Sequence, residues 1–129
     1  MAEKLRVIVD TDVLIKAYRG DADKIRNLSI LKGEYSISVI TAIELIAGAR
    51  NIRQLASLRK VLKVYPIIHI NEPISQQAYS LYQQHILKHT VGLPDCFIAS
   101  TSLFHNLLLY TDNKKDYYFV QGIQFYNEK

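Results

Sequence analysis

Acidic side chains stand at separated points along the 129-residue chain, in positions that favour shared chemistry. Asp10 follows an apolar run, and Glu44 and Asp95 fall near the starts of predicted helices. Asp112 and Asp116 lie in a polar segment after another apolar run. Carboxylates gathered in one pocket repel one another, so that either some are protonated or a hard cation neutralises them. Oxygen ligands without a histidine or cysteine cluster favour Mg²⁺ or Mn²⁺, and the expected chemistry is metal-assisted phosphodiester hydrolysis.

Each acid also has a structural explanation. Asp10 can cap the helix that follows it, and Asp95 can complement the dipole of its helix from the first turn. Thr41-Ala-Ile-Glu44 is a capping-box pattern, in which the Glu44 carboxylate would bond the backbone of Thr41. These alternatives stay open for each acid taken alone. Taken together, the acids favour one site, because strand ends and helix starts meet at one edge of a parallel sheet.

The elements that must position these residues follow from the apolar spacing. Short apolar runs predict strands over residues 5–9, 35–39, 64–70 and 107–110, with a short fifth over 122–126. Steps of three and four residues predict helices over residues 13–18, 22–31, 41–49, 52–62, 72–89 and 94–106. Pro66 suits an edge strand. The alternation predicts an α/β fold with three α/β/α layers, a central parallel sheet of four to five strands and helices on both faces.

The composition predicts one compact domain over residues 1–129, with 49% hydrophobic residues. The single cysteine, Cys96, cannot form an internal disulfide and favours a reducing compartment. The apolar run near the start is too short for a signal core or a membrane span. We therefore expect a cytoplasmic protein without membrane association.

The charge distribution predicts a polyanionic partner. The net charge is only +4, but six of the twelve acids belong to the candidate site, which leaves sixteen Lys and Arg facing six acids elsewhere. Between Glu44 and Glu72 the chain has five basic residues and no acid. A basic surface around an acidic pocket suits a nucleic acid that is cut at a bound metal ion, although a solvated helix face explains these five residues equally well.

Four segments resemble the PIN domain family, particularly its VapC-type toxin ribonucleases. Val-Ile-Val-Asp-Thr-Asp-Val-Leu-Ile at 7–15 resembles a first motif of a strand followed by Asp-Thr-Ser/Asn, with Asp12 where Ser or Asn is commoner. Ile-Thr-Ala-Ile-Glu-Leu-Ile-Ala-Gly at 40–48 resembles the second, and Leu-Pro-Asp-Cys-Phe-Ile-Ala-Ser-Thr at 93–101 the third. Leu-Tyr-Thr-Asp-Asn-Lys-Lys-Asp-Tyr at 109–117 resembles the last, usually Thr-x-Asn-x-x-Asp-Phe.

The resemblance implies a PIN-like fold and a Mg²⁺- or Mn²⁺-dependent endoribonuclease, the toxin of a VapBC-type toxin–antitoxin pair. It also implies an RNA substrate, a cognate antitoxin and a homodimer. The implied catalytic acids and metal ligands are Asp10, Glu44, Asp95 and Asp116, with Asp112 as the alternative fourth acid. The implied supporting residues are Thr11, Asp12, Thr111 and Asn113. The basic residues expected to bind RNA are Arg50, Arg53, Lys114 and Lys115.

Other functions stay open at this point. Asp10-Thr-Asp12 after a strand, with Asp112 and Asp116 four residues apart, also resembles a haloacid-dehalogenase phosphatase, in which Asp10 would be the nucleophile. That interpretation leaves Glu44 and Asp95 unexplained, and the chain is short for that family. A non-toxin RNA-processing PIN nuclease is a further alternative. A receiver-like module is disfavoured because residues 64–71 contain no aspartate.

Histidines and tyrosines have ambiguous positions. His85 and His89 lie one helical turn apart, as in half of a zinc site, but surface or partly buried histidines are the expected outcome. Tyr110, Tyr117 and Tyr118 stand near the last motif. The positions of these tyrosines are compatible with stacking on RNA bases and also with packing inside the protein.

Overall fold

The computed structural model describes residues 4–88 and 90–129. Four parallel strands form its sheet, in the order β3-β2-β1-β4. Their bounds are β1 Val7–Val9, β2 Tyr35–Ser38, β3 Ile67–Ile68 and β4 Leu108–Tyr110. In the register of the sheet, Val7 of β1 pairs with Tyr35 on one side and with Leu108 on the other. The parallel sheet predicted from the sequence is confirmed.

Helices connect these strands. Within the described ranges they are α1 Thr11–Tyr18, α2 Ala22–Ile30, α3 Val39–Ala47, α4 Ile52–Leu62, α5 Glu72–His85 and α6 Leu93–His105. A 3₁₀ helix, Lys114–Tyr117, follows β4. None of the helices in this part of the chain is long and apolar enough to cross a membrane.

The sheet is covered on both faces because successive strand residues point in opposite directions. Val7 and Val9 of β1 pack into a core formed with residues of α1, α2, α3 and α4. Ile8 between them packs into a second core with Ile98 and Ala99 of α6. A smaller apolar cluster joins α5 to α6. The three α/β/α layers are therefore as predicted.

Two predicted strands are much shorter in the structure, whereas β1, β2 and β4 lose one or two residues of the predicted ranges. The third strand covers two residues rather than 64–70, and it is the edge strand that Pro66 suggested, with the Pro66 carbonyl accepting from the Ile37 amide. The predicted fifth strand is reduced to one parallel bridge between Leu109 and Phe125. A proline and a glycine near their starts interrupt the regular pairing of these segments.

Helix boundaries differ from the predictions at two points that matter. Ser38 accepts a hydrogen bond from the amide of Ile40 and caps α3, which therefore begins two residues before the predicted start at 41. α5 ends at His85 with Ile86 as its C-cap, and residues 86–88 form a turn, so the predicted helix over 72–89 is too long; His89 itself lies outside the described residues. The structure therefore leaves the proposed His85–His89 pair untested.

The winding of the sheet reverses beside β1. The chain passes from β1 to β2 and β3 on one side and returns to β4 on the other. In parallel sheets the crevice for ligands opens beyond the carboxyl ends of the two strands that flank such a reversal. Asp10 follows β1 and Thr111 follows β4, and the Asp10 amide donates to the carbonyl of Tyr110 across 2.8 Å.

Candidate active site

Asp10 lies at the centre of the crevice, 7% exposed. Asp10 follows β1 in an extended conformation and is the N-cap of α1. Its Oδ1 accepts a hydrogen bond from the Thr11 amide at 2.8 Å. Oδ2 accepts from the hydroxyls of Thr111 and Tyr117, both at 2.9 Å. Burial raises the pKa of Asp10 despite these hydrogen bonds, and the charge of Glu44 adds to the rise. A positive charge nearby would therefore stabilise the ionised carboxylate.

Asp95 reaches the same point from α6. Its Oδ1 accepts from the Tyr117 hydroxyl at 3.2 Å, so that one hydroxyl contacts the carboxylates of both Asp10 and Asp95. Gly92 makes this placement possible, because a Cβ there would stand 2.9 Å from Oδ2 of Asp95. Burial, and then the charge of Asp10, raises the pKa of Asp95 to about 6.

Glu44 does not cap its helix. It lies in the second turn of α3, not the first as predicted, because Ser38 rather than Thr41 is the capping residue. The capping-box interpretation is therefore wrong. Instead, Oε1 of Glu44 accepts from the Thr11 hydroxyl at 2.7 Å, and that hydroxyl lies 3.0 Å from the hydroxyl of Thr41. Glu44 thus faces the first turn of α1, beside Asp10.

Asp12 is held by the loop after β4. Oδ1 accepts from the amide of Val13 at 2.8 Å, and Oδ2 accepts from the Asp112 amide at 3.1 Å and the Asn113 side-chain amide at 2.9 Å. Burial, and then the charge of Asp10, raises the pKa of Asp12 to about 6. The carboxylate therefore joins the first and last motifs.

Asp112 and Asp116 point to different surroundings. The carboxylate of Asp112 forms ion pairs with Lys16 and Lys24, the latter at 2.7 Å, and its pKa is lowered because these lysine contacts outweigh the effect of burial. Asp116 is exposed on the 3₁₀ helix, and its charge contributes to the raised pKa of Asp95. Asp112 in turn contributes to the raised pKa of Asp12, so that both acids act electrostatically on the site, and Asp112 is the one that two lysines neutralise.

The basic residues predicted to bind RNA lie on two sides of the crevice. Arg50 lines a groove of about 260 Å³ together with Glu44 and Arg19, whereas Arg53 is exposed on α4 outside the residues that line it. Lys114 donates to Asn127 at 3.1 Å. Lys115 is exposed, beside Asp116 in a surface cavity. Arg50 thus shares a groove with Glu44, and Lys115 shares a cavity with Asp116.

Three contributing residues escaped sequence reasoning. Tyr117 is 1% exposed and therefore packs rather than stacks on bases, whereas Tyr118 is 70% exposed. Burial and the two carboxylates raise the pKa of Tyr117, so its hydroxyl keeps the proton that it donates. Gly92 leaves space for the carboxylate of Asp95, and Lys24 forms an ion pair with Asp112. Only Tyr117 had a signal, since it stands where the last motif usually ends in Phe.

A parallel sheet with carboxylates at its point of reversal places the chain among α/β proteins that have an acidic active site. The chain belongs to the PIN domain family, which matches residues 7–119. It is 33% identical over 130 residues to the Ribonuclease VapC1 of Methanocaldococcus jannaschii, covering 98% of this chain and 90% of that protein.

Solved structures agree with this assignment. A toxin–antitoxin complex from Klebsiella pneumoniae contains a chain with a TM-score of 0.78 and 29% identity, covering 95% of this chain and 99% of that one. A DNA-bound VapBC from Salmonella typhimurium contains a chain with a TM-score of 0.85 and 21% identity, covering 95% and 97%. The second likeness supports the fold alone.

Proposed function

We propose that the chain is a Mg²⁺-dependent endoribonuclease and the toxin of a VapBC-type pair, with Mn²⁺ as an alternative cofactor. As a VapC-type member of the PIN family, the protein is an enzyme that hydrolyses RNA. The observation that carries the metal-dependent mechanism is the pair of carboxylates, Asp10 and Asp95, which approach from β1 and α6 and both lie within hydrogen-bond distance of one hydroxyl, that of Tyr117. The proximity of these two acids, one buried and one partly buried, favours a cation between them.

The donor set fits a hydrated Mg²⁺ ion. Across the described residues no three His, Cys, Asp and Glu side chains form a ready-made metal cage. Mg²⁺ does not require one, because it keeps several waters and is commonly bound by one or two carboxylates together with substrate phosphate oxygens. Asp10 and Asp95 would hold the ion, with Glu44 and Asp116 contacting it directly or through water. Asp112 is the weaker fourth acid because two lysines neutralise it.

Hydrolysis forms a bond from a water oxygen to phosphorus, breaks the phosphorus–oxygen bond of the RNA backbone and leaves a proton on the departing oxygen. When bound, Mg²⁺ supplies positive charge beside the phosphate and the attacking water. Oε1 of Glu44 is held by Thr11, which leaves Oε2 to accept a hydrogen bond and a proton from that water. Thr111 and Asn113 keep Asp10 and Asp12 in place through their hydrogen bonds.

The phosphatase alternative is disfavoured because the hydrogen bonds of Asp12 do not suit an acid–base residue. A haloacid-dehalogenase mechanism would need Asp12 to exchange a proton with the substrate, yet both of its oxygens accept from groups of the protein. It also leaves the contact of Tyr117 with Asp95 without a role. The nuclease proposal uses every one of these contacts.

The test is RNA cleavage by Asp95→Asn. This variant keeps the shape of the side chain but removes the charge that binds the cation, so we expect cleavage to fall at least about a hundredfold while the fold persists. Asp23→Asn is the matched control, since Asp23 is exposed on α2 and paired with Arg26. Full activity of Asp95→Asn, or of the wild type in excess EDTA, would overturn the mechanism.

The partners follow from the same proposal. Relatives of similar fold were solved as toxin–antitoxin complexes, which supports a cognate antitoxin for this chain. We also propose a homodimer, one nuclease domain over the whole chain and a cytoplasmic location, where the RNA substrate occurs. Co-expression with the product of an adjacent small gene tests the antitoxin: loss of cleavage in the co-purified complex supports a toxin, whereas unaffected cleavage favours an RNA-processing nuclease.

A further inference from the structure

The hydroxyl of Tyr117 occupies a defined place in the hydrogen bonding of Asp10. An ionised carboxylate offers about four lone-pair sites on its two oxygens. In Asp10 the Thr11 amide takes one site on Oδ1, while the hydroxyls of Thr111 and Tyr117 take both sites on Oδ2. The site that remains lies on Oδ1. While these three donors are in place, Oδ1 is the oxygen of Asp10 that has a lone pair left for a cation.

The same hydroxyl lies 3.2 Å from Oδ1 of Asp95, which comes from a different element. The aromatic ring of Tyr117 is locked in the apolar core beside Ile8 and Ile98, and it is 1% exposed. The position of the hydroxyl is therefore set by packing rather than by the carboxylates. The hydroxyl therefore holds the carboxylates of Asp10 and Asp95 in fixed positions relative to each other.

We infer that the Tyr117 hydroxyl is a positioning group for the divalent cation, holding Asp10 in a one-oxygen binding mode and fixing its distance to Asp95. The inference rests on the proposed function. Groups that hydrogen-bond metal ligands orient them, and their loss typically costs about 10- to 100-fold in metal affinity. The last motif of the family usually ends in Phe, which packs in the same way but has no hydroxyl. The positioning is thus a feature of this chain rather than of the motif.

The experiment measures Mn²⁺ binding by isothermal titration calorimetry on the full chain without RNA. Tyr117→Phe keeps the ring that packs in the core with Ile8 and Ile98 and removes only the hydroxyl. Tyr126→Phe is the matched control, because Tyr126 is also buried, at 3% exposure, and its hydroxyl donates to Asn27 at 2.7 Å, away from the carboxylates. Each variant removes one buried hydroxyl group and keeps its ring.

We expect Tyr117→Phe to weaken Mn²⁺ binding by about tenfold or more, and Tyr126→Phe to stay within about twofold of the wild type. The Mn²⁺ concentration for half-maximal cleavage should rise by the same factor as the dissociation constant, with the rate largely recovered at saturating metal. Equal Mn²⁺ affinity of Tyr117→Phe and the wild type would overturn the inference alone. A wild type that binds no Mn²⁺ would overturn both the inference and the metal-dependent mechanism.

Discussion

The hydroxyl of Thr11 donates to Oε1 of Glu44 across 2.7 Å and so joins the start of α1 to the second turn of α3. The contact removes the capping explanation for Glu44, because the cap of α3 is Ser38. It also fixes one oxygen of the carboxylate and leaves the other for the crevice. Ser38 therefore stabilises the start of α3, whereas Glu44 of the same helix belongs to the candidate site.

Glu44→Gln should lose activity without losing stability. Glutamine keeps an oxygen that accepts from Thr11 but cannot take up a proton, so we expect cleavage to fall about a hundredfold. The melting temperature should move by less than about 3 °C, as for a partly exposed residue without a capping role. The opposite result is expected for Ser38→Ala, which removes a helix cap worth about 1 kcal/mol and leaves the crevice intact. Thermal melting and single-turnover cleavage of both variants distinguish the two roles.

The sequence predicted the features that depend on local pattern. The β-branched run before Asp10 and the apolar run before Thr111 each form a strand, and α4 has the predicted bounds of 52–62. Because the carboxyl ends of parallel strands share an edge, the positions of Asp10 and Thr111 followed from the topology. The approach of Asp95 from α6 followed from the position of the helix start.

The remaining features depend on contacts between distant parts of the chain. Tyr117 bonds Asp10 across 107 positions, and Lys24 bonds Glu128 across 104. Neither contact has a periodicity that a sequence window can detect. A lysine on an exposed-looking helix is normally solvated, so the burial of Lys24 was not predictable. The earlier start of α3 also depends on a local competition between Ser38 and Thr41 as the cap, which the motif alone does not decide.

The metal-free protein should become more stable as the pH falls from 7.5 to about 5. Burial raises the pKa of Asp12 and Asp95 to about 6, above the 3.8 of the unfolded chain. The folded state therefore binds protons more tightly than the unfolded state, and folding gains free energy as the pH drops through 6. The pKa values of Asp112 and Glu128 are lowered from their ordinary 3.8 and 4.5, so the stability that these two acids contribute is lost only as the pH falls below those ordinary values.

Melting curves in EDTA, followed by circular dichroism between pH 4 and 7.5, check this dependence. With Mg²⁺ present the rise should shrink, because a cation stabilises the ionised carboxylates at neutral pH. The double variant Asp12→Asn/Asp95→Asn is the control and should show a flatter profile above pH 5. A melting temperature that falls steadily from pH 7.5 to 5 in EDTA would contradict the prediction.

Lys24→Met should destabilise the chain. Lys24 is 5% exposed, and its ammonium pairs with Asp112 and Glu128, each at 2.7 Å. Its removal leaves Glu128 without a lysine while Asp112 keeps Lys16, and both acids are partly exposed, so we expect a loss of about 2 kcal/mol, or about 7 °C in melting temperature, between the values for buried and surface pairs. Lys16→Met is the matched control, since Lys16 pairs with the same Asp112 but its side chain is 48% exposed. We expect that control to lose less than about 1 kcal/mol. Similar losses in the two variants would show that burial of Lys24 does not matter.

Arg50→Ala should weaken RNA binding more than Arg53→Ala. Arg50 shares the groove beside Glu44 with Arg19, so a phosphate of an RNA strand that enters the crevice can contact its guanidinium. Arg53 lies one turn further along the surface, outside the residues that line the groove, and has the same charge and a similar exposed position. Loss of one phosphate contact lowers the slope of log affinity against log salt concentration by about one.

Binding of a non-cleaved RNA to the Asp95→Asn background, measured by fluorescence anisotropy at several salt concentrations, separates the two arginines. A smaller slope for Arg50→Ala and an unchanged slope for Arg53→Ala support a phosphate site in the groove. Equal decreases would instead indicate that long-range attraction from the whole basic surface holds the RNA, because a diffuse field does not distinguish two neighbouring charges. The comparison therefore tests whether the RNA binds in the groove beside Glu44 or is attracted by the basic surface as a whole.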